Sequence, residues 1–419
     1  MPEYSFPRST PESEGIPSEA ILAVIDALEQ HDQPLDAVHS FMLLRHGSVV
    51  AEGWWNPYQP DVPHMLYSLS KSFTSSAIGI AVAEGLLGLD DPVLSFFPDD
   101  APPNPSDHLR AMTVRHLLTM NTGHHEDTVS AVWGGTDDNW PRMFLSLPVE
   151  HQPGTWFVYN TAATYMLSAI AQRLTGMPIV EYLQPRLFDP LGIEPPYWQS
   201  DPLGVNMGGY GLNLKTEDIA RFGQMLLQQG RWGDRQLVPA EWVKTASSYH
   251  SDNSIRGGNP EWTQGYGYQF WLCRHGAYRG DGAFGQYCLV MPEQDAVLAI
   301  TSGIGDMQPP LDAVWDHLLP AMADAPLKAD AAANRALGAQ LAGLKIASQQ
   351  GDNTAPVAAQ IAGRRYKMDS NKAGIQSLRV ALDASRGTLT VRDRRGTHNL
   401  EFAMGAWAEG TTTFSMQSP

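Results

Sequence analysis

Two β-like regions that lie far apart in the chain constrain the fold more than any other feature. Residues 39–55, HSFMLLRHGSVVAEGWW, contain two apolar segments around a His46-Gly47 turn, a pattern typical of a β-hairpin. Residues 266–303 again contain short β-like segments separated by turns, whereas residues 92–250 are mainly helical in their periodicity. We therefore predict an α+β fold, in which helices flank one antiparallel sheet and a mainly helical segment interrupts it.

The composition changes after about residue 325. An alanine-rich, helix-like stretch, KADAAANRALGAQLAGLKIA, is followed by a polar linker, SQQGDNTAP, and then by a run that alternates like a meander of strands. We predict a first domain over residues 1–325, with its helical subdomain at about 92–250. We predict a second region over 326–419 that combines the alanine-rich helix, the linker and a small β-rich unit, for which a structural or assembly role is the simplest interpretation.

Charge and composition exclude several classes of partner. The chain has 28 Lys and Arg against 45 Asp and Glu, a formal charge of −17, which disfavours nucleic acid and anionic membranes. We see no signal peptide and no apolar run of the roughly 18 residues that a membrane-spanning helix needs, so we expect a cytoplasmic protein. The two cysteines, Cys273 and Cys288, are too few for a disulfide framework and we expect two buried thiols. The expected partner is a small-molecule substrate, and a homo-oligomer is left open.

One S-x-x-K pattern stands where an extended segment passes into a helix. The spacing in YSLSKSFTSSAIGIAVAEG predicts a helix from Ser70 to Ala83 that stops at Gly85. A residue three positions after Ser68 lies on the same helical face, so the Lys71 amine could reach the Ser68 hydroxyl. Burial and the helix dipole would both lower the pKa of that amine and let it accept a proton. The alternative, an N-capping serine beside a solvated lysine, stays equally open at this point.

A tyrosine at the start of a second helical run is a further candidate. Tyr159 lies in PGTWFVYNTAATYMLSAI, residues 153–170, and a phenol there could pass a proton between a nucleophile and a leaving group. Taken alone, a tyrosine at a helix start is more often a packing residue.

Taken in order, seven segments of the chain resemble one known superfamily. They are HSFMLLRHGSVVAEGWWNPY, LYSLSKSFTSSAIGIAVAEGLLGLDDPV, MTVRHLLTMNTGH, PGTWFVYNTAATYMLSAI, GGYGLNLKTEDIARFGQMLLQQG, GYGYQFW and GAFGQYCLVMPE. Their order and spacing, over about residues 10–310, resemble the serine β-lactamase-like hydrolases. That superfamily contains class C β-lactamases, penicillin-binding DD-peptidases, esterases, D-aminopeptidases and the 6-aminohexanoate-dimer hydrolase.

The resemblance implies a role for each matching residue. It makes Ser68 the acylated nucleophile, Lys71 its proton acceptor and Tyr159 the tyrosine of the Y-x-N motif. It also implies an oxyanion hole formed by the N–H groups of Ser68 and Ala283, since two fixed donors stabilise a developing oxyanion. The implied substrate-binding and oxyanion-hole positions are Ser68, Ala283, Gly282, Thr161, Asn160 and Asp281.

This chain departs from the family pattern at two motifs. The Asn of Y-x-N falls on Thr161, with Asn160 beside it. The third motif, a basic residue followed by Thr or Ser and then Gly, falls on residues 280–282, GDG, where the basic residue is missing. In β-lactam-recognising members that residue helps to bind the substrate carboxylate, and here only the neighbouring Arg279 could replace it.

We therefore predict a serine hydrolase that cleaves esters or amides of small substrates through an acyl-enzyme, with weak β-lactamase activity at most and no cofactor or metal. The choice between ester, D-amino-acid amide and linear oligoamide stays open. The alternative is a covalent penicillin-binding or scaffold protein on the same fold with little turnover. Two further patterns are set aside: GDGAFG precedes a strand rather than the helix of a dinucleotide site, and HHED, residues 124–127, lacks a metal-ligand spacing.

Overall fold

The strands are grouped in three parts of the chain, residues 32–65, 271–302 and 365–403, with a few two-residue strands between them. The computed structural model describes residues 5–30, 32–33, 36–135, 137–254, 257–348, 351, 355–383 and 385–414. The strands are β1 (Asp32–Gln33), β2 (Asp36–Arg45), β3 (Ser48–Trp54), β4 (His64–Met65), β5 (Asn213–Leu214), β6 (Arg231–Trp232), β7 (Arg235–Gln236), β8 (Trp271–Leu272), β9 (Tyr278–Gly282), β10 (Gln286–Met291), β11 (Ala296–Ser302), β12 (Arg365–Lys367), β13 (Ser377–Leu382), β14 (Arg386–Arg392) and β15 (Thr397–Ala403).

The helices mainly occupy the interval between β4 and β8. They are α1 (Ser18–Leu28), α2 (Ser70–Ala83), α3 (Asp107–Ala111), α4 (Val114–Leu118), α5 (Val129–Trp133), α6 (Trp140–Ser146), α7 (Thr161–Thr175), α8 (Ile179–Leu183), α9 (Asp189–Leu191), α10 (Thr216–Leu227), α11 (Ala240–Ala246), α12 (Gln308–Ala313), α13 (Ala331–Gly343) and α14 (Ala358–Ile361).

The main antiparallel sheet joins the two β-like regions of the sequence. Its strands lie in the order β2-β11-β10-β9-β8, and β1 and β3 both pair with β2. The register between β2 and β11 places Phe41 opposite Ile300 and Arg45 opposite Ala296. The predicted α+β fold with one interrupted antiparallel sheet is confirmed.

The predicted hairpin and the predicted first helix both have local causes. His46 and Gly47 have φ values of 49° and 75°, the left-handed pair that a tight two-residue turn between β2 and β3 requires. Helix α2 spans Ser70–Ala83 as predicted, and Gly85 follows with a φ of 72°.

Helix α2 is anchored in the core by aromatic packing. Phe73 stacks on Phe222 of α10 with ring centroids 3.8 Å apart, and α10 packs against the main sheet. The residues of α2 from Ser70 to Ala81 are buried, which is unusual for a helix so rich in serine. The start of this helix is therefore held rigidly against the sheet.

The chain divides into two compact units, residues 1–345 and 346–419. The alanine-rich helix α13 lies in the first unit, whereas the sequence placed it with the C-terminal strands. The reason is packing: Leu341 and Leu344 lie against Gly53 of β3, and the Gln340 amide donates to Asp26 and Glu29 at 2.8 and 3.0 Å. Helical periodicity alone did not reveal this partner.

The second unit contains a four-stranded antiparallel sheet in the order β12-β13-β14-β15, as the alternating pattern predicted. In the first unit Cys273 and Cys288 are buried free thiols. Among the described residues, no helix combines the length and apolar character that crossing a membrane requires.

Candidate active site

Ser68 and Lys71 meet at the start of α2. Strand β4 leads into a 3₁₀ turn, Tyr67–Leu69, in which Tyr67 has a left-handed φ of 47°. This turn holds Ser68 just ahead of α2, half-buried, and the Lys71 Nζ donates to Ser68 Oγ at 3.0 Å. Lys71 is only 1% exposed, so the solvated lysine that the sequence left open is excluded.

The remaining partners of Lys71 are neutral. Its Nζ donates to the carbonyl of Gly209 at 2.8 Å and to Thr161 Oγ1 at 3.3 Å. Desolvation lowers the pKa of Lys71 to about 7, although the charges of Asp127 and Asp281 act in the opposite direction. A large fraction of the amine is therefore neutral near pH 7 and can accept a proton.

The neighbouring serines of α2 have structural partners instead. Ser70 Oγ donates to the carbonyl of Tyr67 at 2.7 Å, and Ser72 Oγ donates to the carbonyl of Gln269 at 2.9 Å. Ser68 is thus distinguished from its neighbours by its contact with the buried amine.

Tyr159, the third catalytic candidate from the sequence, lies beside this pair. The Lys71 Nζ is 4.8 Å from the centroid of the Tyr159 ring, and the ring stacks on Trp271 at 5.1 Å. Burial is the largest cause of a raised pKa for Tyr159, and a hydrogen bond with Ser68 only partly offsets it. The phenol therefore keeps its proton near pH 7.

The two residues after Tyr159 have different surroundings. Thr161, the first residue of α7, directs its hydroxyl to Lys71, as described above. Asn160 is fully buried, and its amide oxygen accepts from the Ala163 N–H at 3.3 Å and from Thr128 Oγ1 at 2.9 Å. The structure thus joins Thr161 to the Ser68 group, whereas Asn160 caps α7.

The GDG motif forms the end of β9, and its glycines allow very close packing. A Cβ on Gly282 would lie 2.1 Å from the carbonyl oxygen of Leu66, and one on Gly280 would lie 2.5 Å from both Leu69 Cδ1 and Ser72 Oγ. No side chain larger than hydrogen fits at either position without movement. The strand therefore lies directly against the turn that holds Ser68.

Ala283 follows at the exposed turn between β9 and β10. Neither its N–H nor that of Ser68 donates to an acceptor in the part of the chain that the structure describes. The carbonyl of Gly282 accepts from the Gly285 N–H at 3.2 Å on the β10 side. Because C=O and N–H point in opposite directions across a trans peptide, the Ala283 N–H points away from β10.

Arg279 and Asp281, by contrast, bind each other. Arg279 is fully buried, and its Nε donates to Asp281 Oδ2 at 3.0 Å. Its Nη1 donates to the carbonyl of Glu261 at 3.0 Å and contacts Cys273 Sγ at 3.1 Å. The guanidinium that could have replaced the missing basic residue is therefore committed to buried partners.

Asp127 is a site residue that the sequence analysis missed. Its Oδ1 accepts from the N–H groups of Thr161 at 3.1 Å and Val129 at 3.0 Å, which ties the 125–129 loop to the start of α7. Asp127 belongs to the HHED stretch, which drew attention only as a metal pattern. Among the described residues, no three His, Cys, Asp or Glu side chains are arranged to hold a metal ion.

The GDGAFG stretch is a β-hairpin, because β10 follows it directly. It lacks the helix N-terminus that would bind a pyrophosphate in a dinucleotide site.

Comparisons with known proteins agree with this architecture. A family model described as Beta-lactamase matches residues 30–321. The chain is 26% identical over 331 residues to the 6-aminohexanoate-dimer hydrolase of Paenarthrobacter ureafaciens, an alignment that covers 73% of this chain and 83% of that protein. It is 31% identical over 159 residues to the lovastatin esterase of Penicillium rubens, covering 33% of this chain and 40% of the esterase. The solved octameric penicillin-binding protein homologue from Pyrococcus abyssi has a TM-score of 0.57 at 20% identity, with 92% of this chain and 90% of that chain covered.

Proposed function

The chain belongs to the beta-lactamase family, and from that premise we propose that it is a serine hydrolase that opens esters or amides of small substrates through an acyl-enzyme at Ser68. The observation that carries the proposal is the 3.0 Å contact between Ser68 Oγ and a buried lysine amine with neutral partners. The ester and amide hydrolases among its relatives support the same class of reaction.

Acylation begins with Ser68 and Lys71. As Ser68 Oγ attacks the substrate carbonyl carbon, its proton passes to the neutral Lys71 Nζ, and a tetrahedral intermediate forms. Tyr159 donates its phenolic proton to the leaving oxygen or nitrogen while Lys71 returns a proton to the phenolate. The bond to the leaving group breaks, and the acyl group remains as an ester on Ser68.

Deacylation reverses the proton path. Water attacks the ester carbonyl and gives a proton to the amine of Lys71. Ser68 Oγ then leaves and takes that proton back from the Lys71 ammonium, and the carboxylic acid product departs. The raised pKa of Tyr159 supports a phenol that donates first rather than one that begins as a phenolate.

The oxyanion hole is proposed to consist of the N–H groups of Ser68 and Ala283. Both lack an acceptor among the described residues, and the Ala283 N–H points away from β10. Losing one such donor typically costs about 10²–10³ in kcat, so a matched pair would supply a large part of the rate enhancement.

Weak β-lactamase activity at most is expected from the third motif. A β-lactam carboxylate would need a cation there, but position 280 is a glycine packed against the side chains of Leu69 and Ser72, and Arg279 is bound to Asp281. We therefore propose esters and amides without a required carboxylate as the substrate class.

The test is a time course of p-nitrophenyl acetate and butyrate hydrolysis with intact-protein mass recorded in parallel. Wild type is expected to turn over continuously, and Ser68→Ala to lose that turnover. Ser72→Ala is the matched control, because it removes a neighbouring buried hydroxyl of the same helix that donates to Gln269 and not to Lys71.

Two outcomes would contradict the proposal. Equal turnover in wild type and Ser68→Ala would remove Ser68 from the reaction. A single burst with a stable mass increase would instead favour a covalent binder with little turnover.

A further inference from the structure

Two buried polar side chains, those of Gln286 and Ser302, form hydrogen bonds to the backbone of the turn between β9 and β10 that contains Ala283. Gln286 at the start of β10 is fully buried, and Ser302 at the end of β11 is 1% exposed. Among the described residues, neither side chain forms a hydrogen bond with Ser68, Lys71 or Tyr159. Burying an amide and a hydroxyl in a sheet is unfavourable unless each is hydrogen-bonded, so their partners indicate what they do.

Gln286 and Ser302 bind each other through both ends of the amide. Gln286 Nε2 donates to the carbonyl of Ser302 at 2.7 Å, and the Ser302 N–H donates to Gln286 Oε1 at 3.2 Å. This reciprocal pair leaves the amide little freedom to rotate. The same Nε2 also donates to the carbonyl of Ala283 at 3.0 Å.

Ser302 holds the rest of the turn. Its Oγ lies 2.7 Å from the carbonyl oxygens of both Phe284 and Gly285, and the Ile304 N–H donates to the Phe284 carbonyl at 3.1 Å. A Cβ on Gly285 would lie 2.3 Å from Ser302 Oγ, so only glycine permits this approach.

The backbone of the turn is in a conformation that is unfavourable for its own sequence. Phe284 has a φ of 67° and is 46% exposed, and this left-handed backbone conformation is unfavourable for a residue other than glycine. The surrounding hydrogen bonds must therefore supply the constraint.

The two peptide groups on either side of Ala283 are therefore each fixed by a hydrogen bond to their carbonyl oxygen. Gly285 fixes the carbonyl of Gly282, and Gln286 fixes the carbonyl of Ala283. On the other edge of β9, strand β8 pairs with Tyr278 and Arg279, and among the residues that the structure describes no strand pairs with the edge near Ala283. The N–H of Ala283 is left directed to that open side.

We propose that Gln286 and Ser302 are positioning residues that aim the Ala283 N–H at the oxyanion of the reacting carbonyl. The inference rests on the proposed serine hydrolase function and deepens it. It assigns to this pair an effect on transition-state stabilisation without any contact with substrate.

The experiment compares Gln286→Glu and Ser302→Ala with wild type, using p-nitrophenyl acetate for kcat and KM and phenylboronic acid for affinity. Phenylboronic acid forms a tetrahedral adduct with an active serine and so reports on the oxyanion hole without turnover. Glu keeps the oxygen that accepts from the Ser302 N–H but loses the donor to the carbonyls of both Ala283 and Ser302. Ser302→Ala is the milder change, because the backbone of Ser302 still pairs with Gln286. Ser302→Thr keeps the hydroxyl.

Ser40→Ala is the matched control. Ser40 is a buried serine of the same sheet whose Oγ lies 2.6 Å from the hydroxyls of Thr216 and Thr301, away from the turn. It should lower thermal stability about as much as Ser302→Ala does.

We expect kcat per folded protein to fall about tenfold or more in Gln286→Glu and Ser302→Ala, short of the roughly 10²–10³ that losing a donor outright costs. KM should stay within about twofold, phenylboronic acid affinity should fall with kcat, and Ser302→Thr should recover most of the loss. A kcat within about twofold of wild type in both variants, with a stability loss like that of Ser40→Ala, would overturn the inference. If the wild type shows no turnover that depends on Ser68, the proposed function itself is rejected, and this result is distinct from the outcome for Gln286 and Ser302.

Discussion

The candidate site contains two buried basic side chains, Lys71 and Arg279, whose pKa values are shifted in opposite directions. Lys71 is 1% exposed and has two hydroxyl groups and a carbonyl as partners, whereas Arg279 is fully buried and has a carboxylate, Asp281, at 2.9 Å. Desolvation lowers the pKa of Lys71 to about 7. Desolvation also acts to lower the pKa of Arg279, but the neighbouring Cys273 and Asp281 reverse it and raise that pKa above its ordinary value.

The difference teaches that burial alone does not decide protonation. Hydroxyl and carbonyl groups accept hydrogen bonds from a buried amine but do not offset the desolvation cost of its positive charge. A carboxylate offsets that cost, because its negative charge stabilises the cation. The lysine side of the site is thus suited to proton transfer, and the arginine side to holding β9 in place.

The sharpest test of this comparison is Lys71→Arg. It places a permanent cation where we propose a neutral base, so we expect kcat for p-nitrophenyl acetate to fall by about 10³ or more, in the range that general-base loss produces. Steady-state kinetics on protein of verified fold provides the measurement. Retention of more than a tenth of wild-type kcat would mean that Lys71 need not become neutral.

On the other side of the site, Arg279→Met should act on stability. It leaves Asp281 buried without its guanidinium partner, while Glu261 keeps its ion pair with Arg274. Removing one partner of a buried ion pair costs about 3–5 kcal/mol. Urea unfolding measures the loss. A change below about 1 kcal/mol would show that the network around Arg279 is not a structural anchor.

Lys71→Met should have the opposite effect on stability. The folded-state pKa of Lys71 is lowered from 10.5 to about 7, so the wild type carries a penalty for the charged amine that is complete below pH 7 and fades as the pH rises towards 10.5. The lowered pKa alone would correspond to about 5 kcal/mol at pH 6, and the loss of three hydrogen bonds of the amine, worth about 1 kcal/mol each, offsets part of it. We therefore expect Lys71→Met to be more stable than wild type at pH 6 by on the order of 2 kcal/mol. Unfolding curves at pH 6 and pH 9 should show the advantage shrinking at the higher pH, and an advantage that grows would contradict the assigned direction of the pKa shift.

The smallest effect is expected for Asp127→Asn. Asn keeps an oxygen that can accept from Thr161 and Val129 but removes a charge that raises the pKa of Lys71. Wild-type kcat/KM should rise with pH through about 7 as Lys71 loses its proton, and in the variant this limb should move to lower pH. An unchanged or upward-shifted limb would argue against Lys71 as the titrating base.

Features with a local cause could be predicted from the sequence. The three-residue spacing of Ser68 and Lys71 follows from helical geometry, and the bounds of α2 and the His46-Gly47 turn follow from periodicity and backbone preference. The order of the motifs likewise predicted the family, because each one is a short run along the chain.

Features that depend on distant segments could not be predicted. The HHED stretch did not reveal the role of Asp127, because that role depends on a hydrogen bond with the start of α7. Helix α13 was grouped with the C-terminal strands, whereas its packing partners lie in β3 and α1 of the first unit.

The sequence by itself determined the fold class and the family, and its helical spacing predicted that the side chains of Ser68 and Lys71 could meet. Only the tertiary structure decided that Lys71 is buried among neutral groups, that Arg279 is committed to Asp281, and that the Ala283 N–H is left without an acceptor among the described residues. The physical reason is that spacing along a helix is set by the backbone, whereas desolvation, ion pairing and the direction of a peptide N–H are set by segments that meet only when the chain folds.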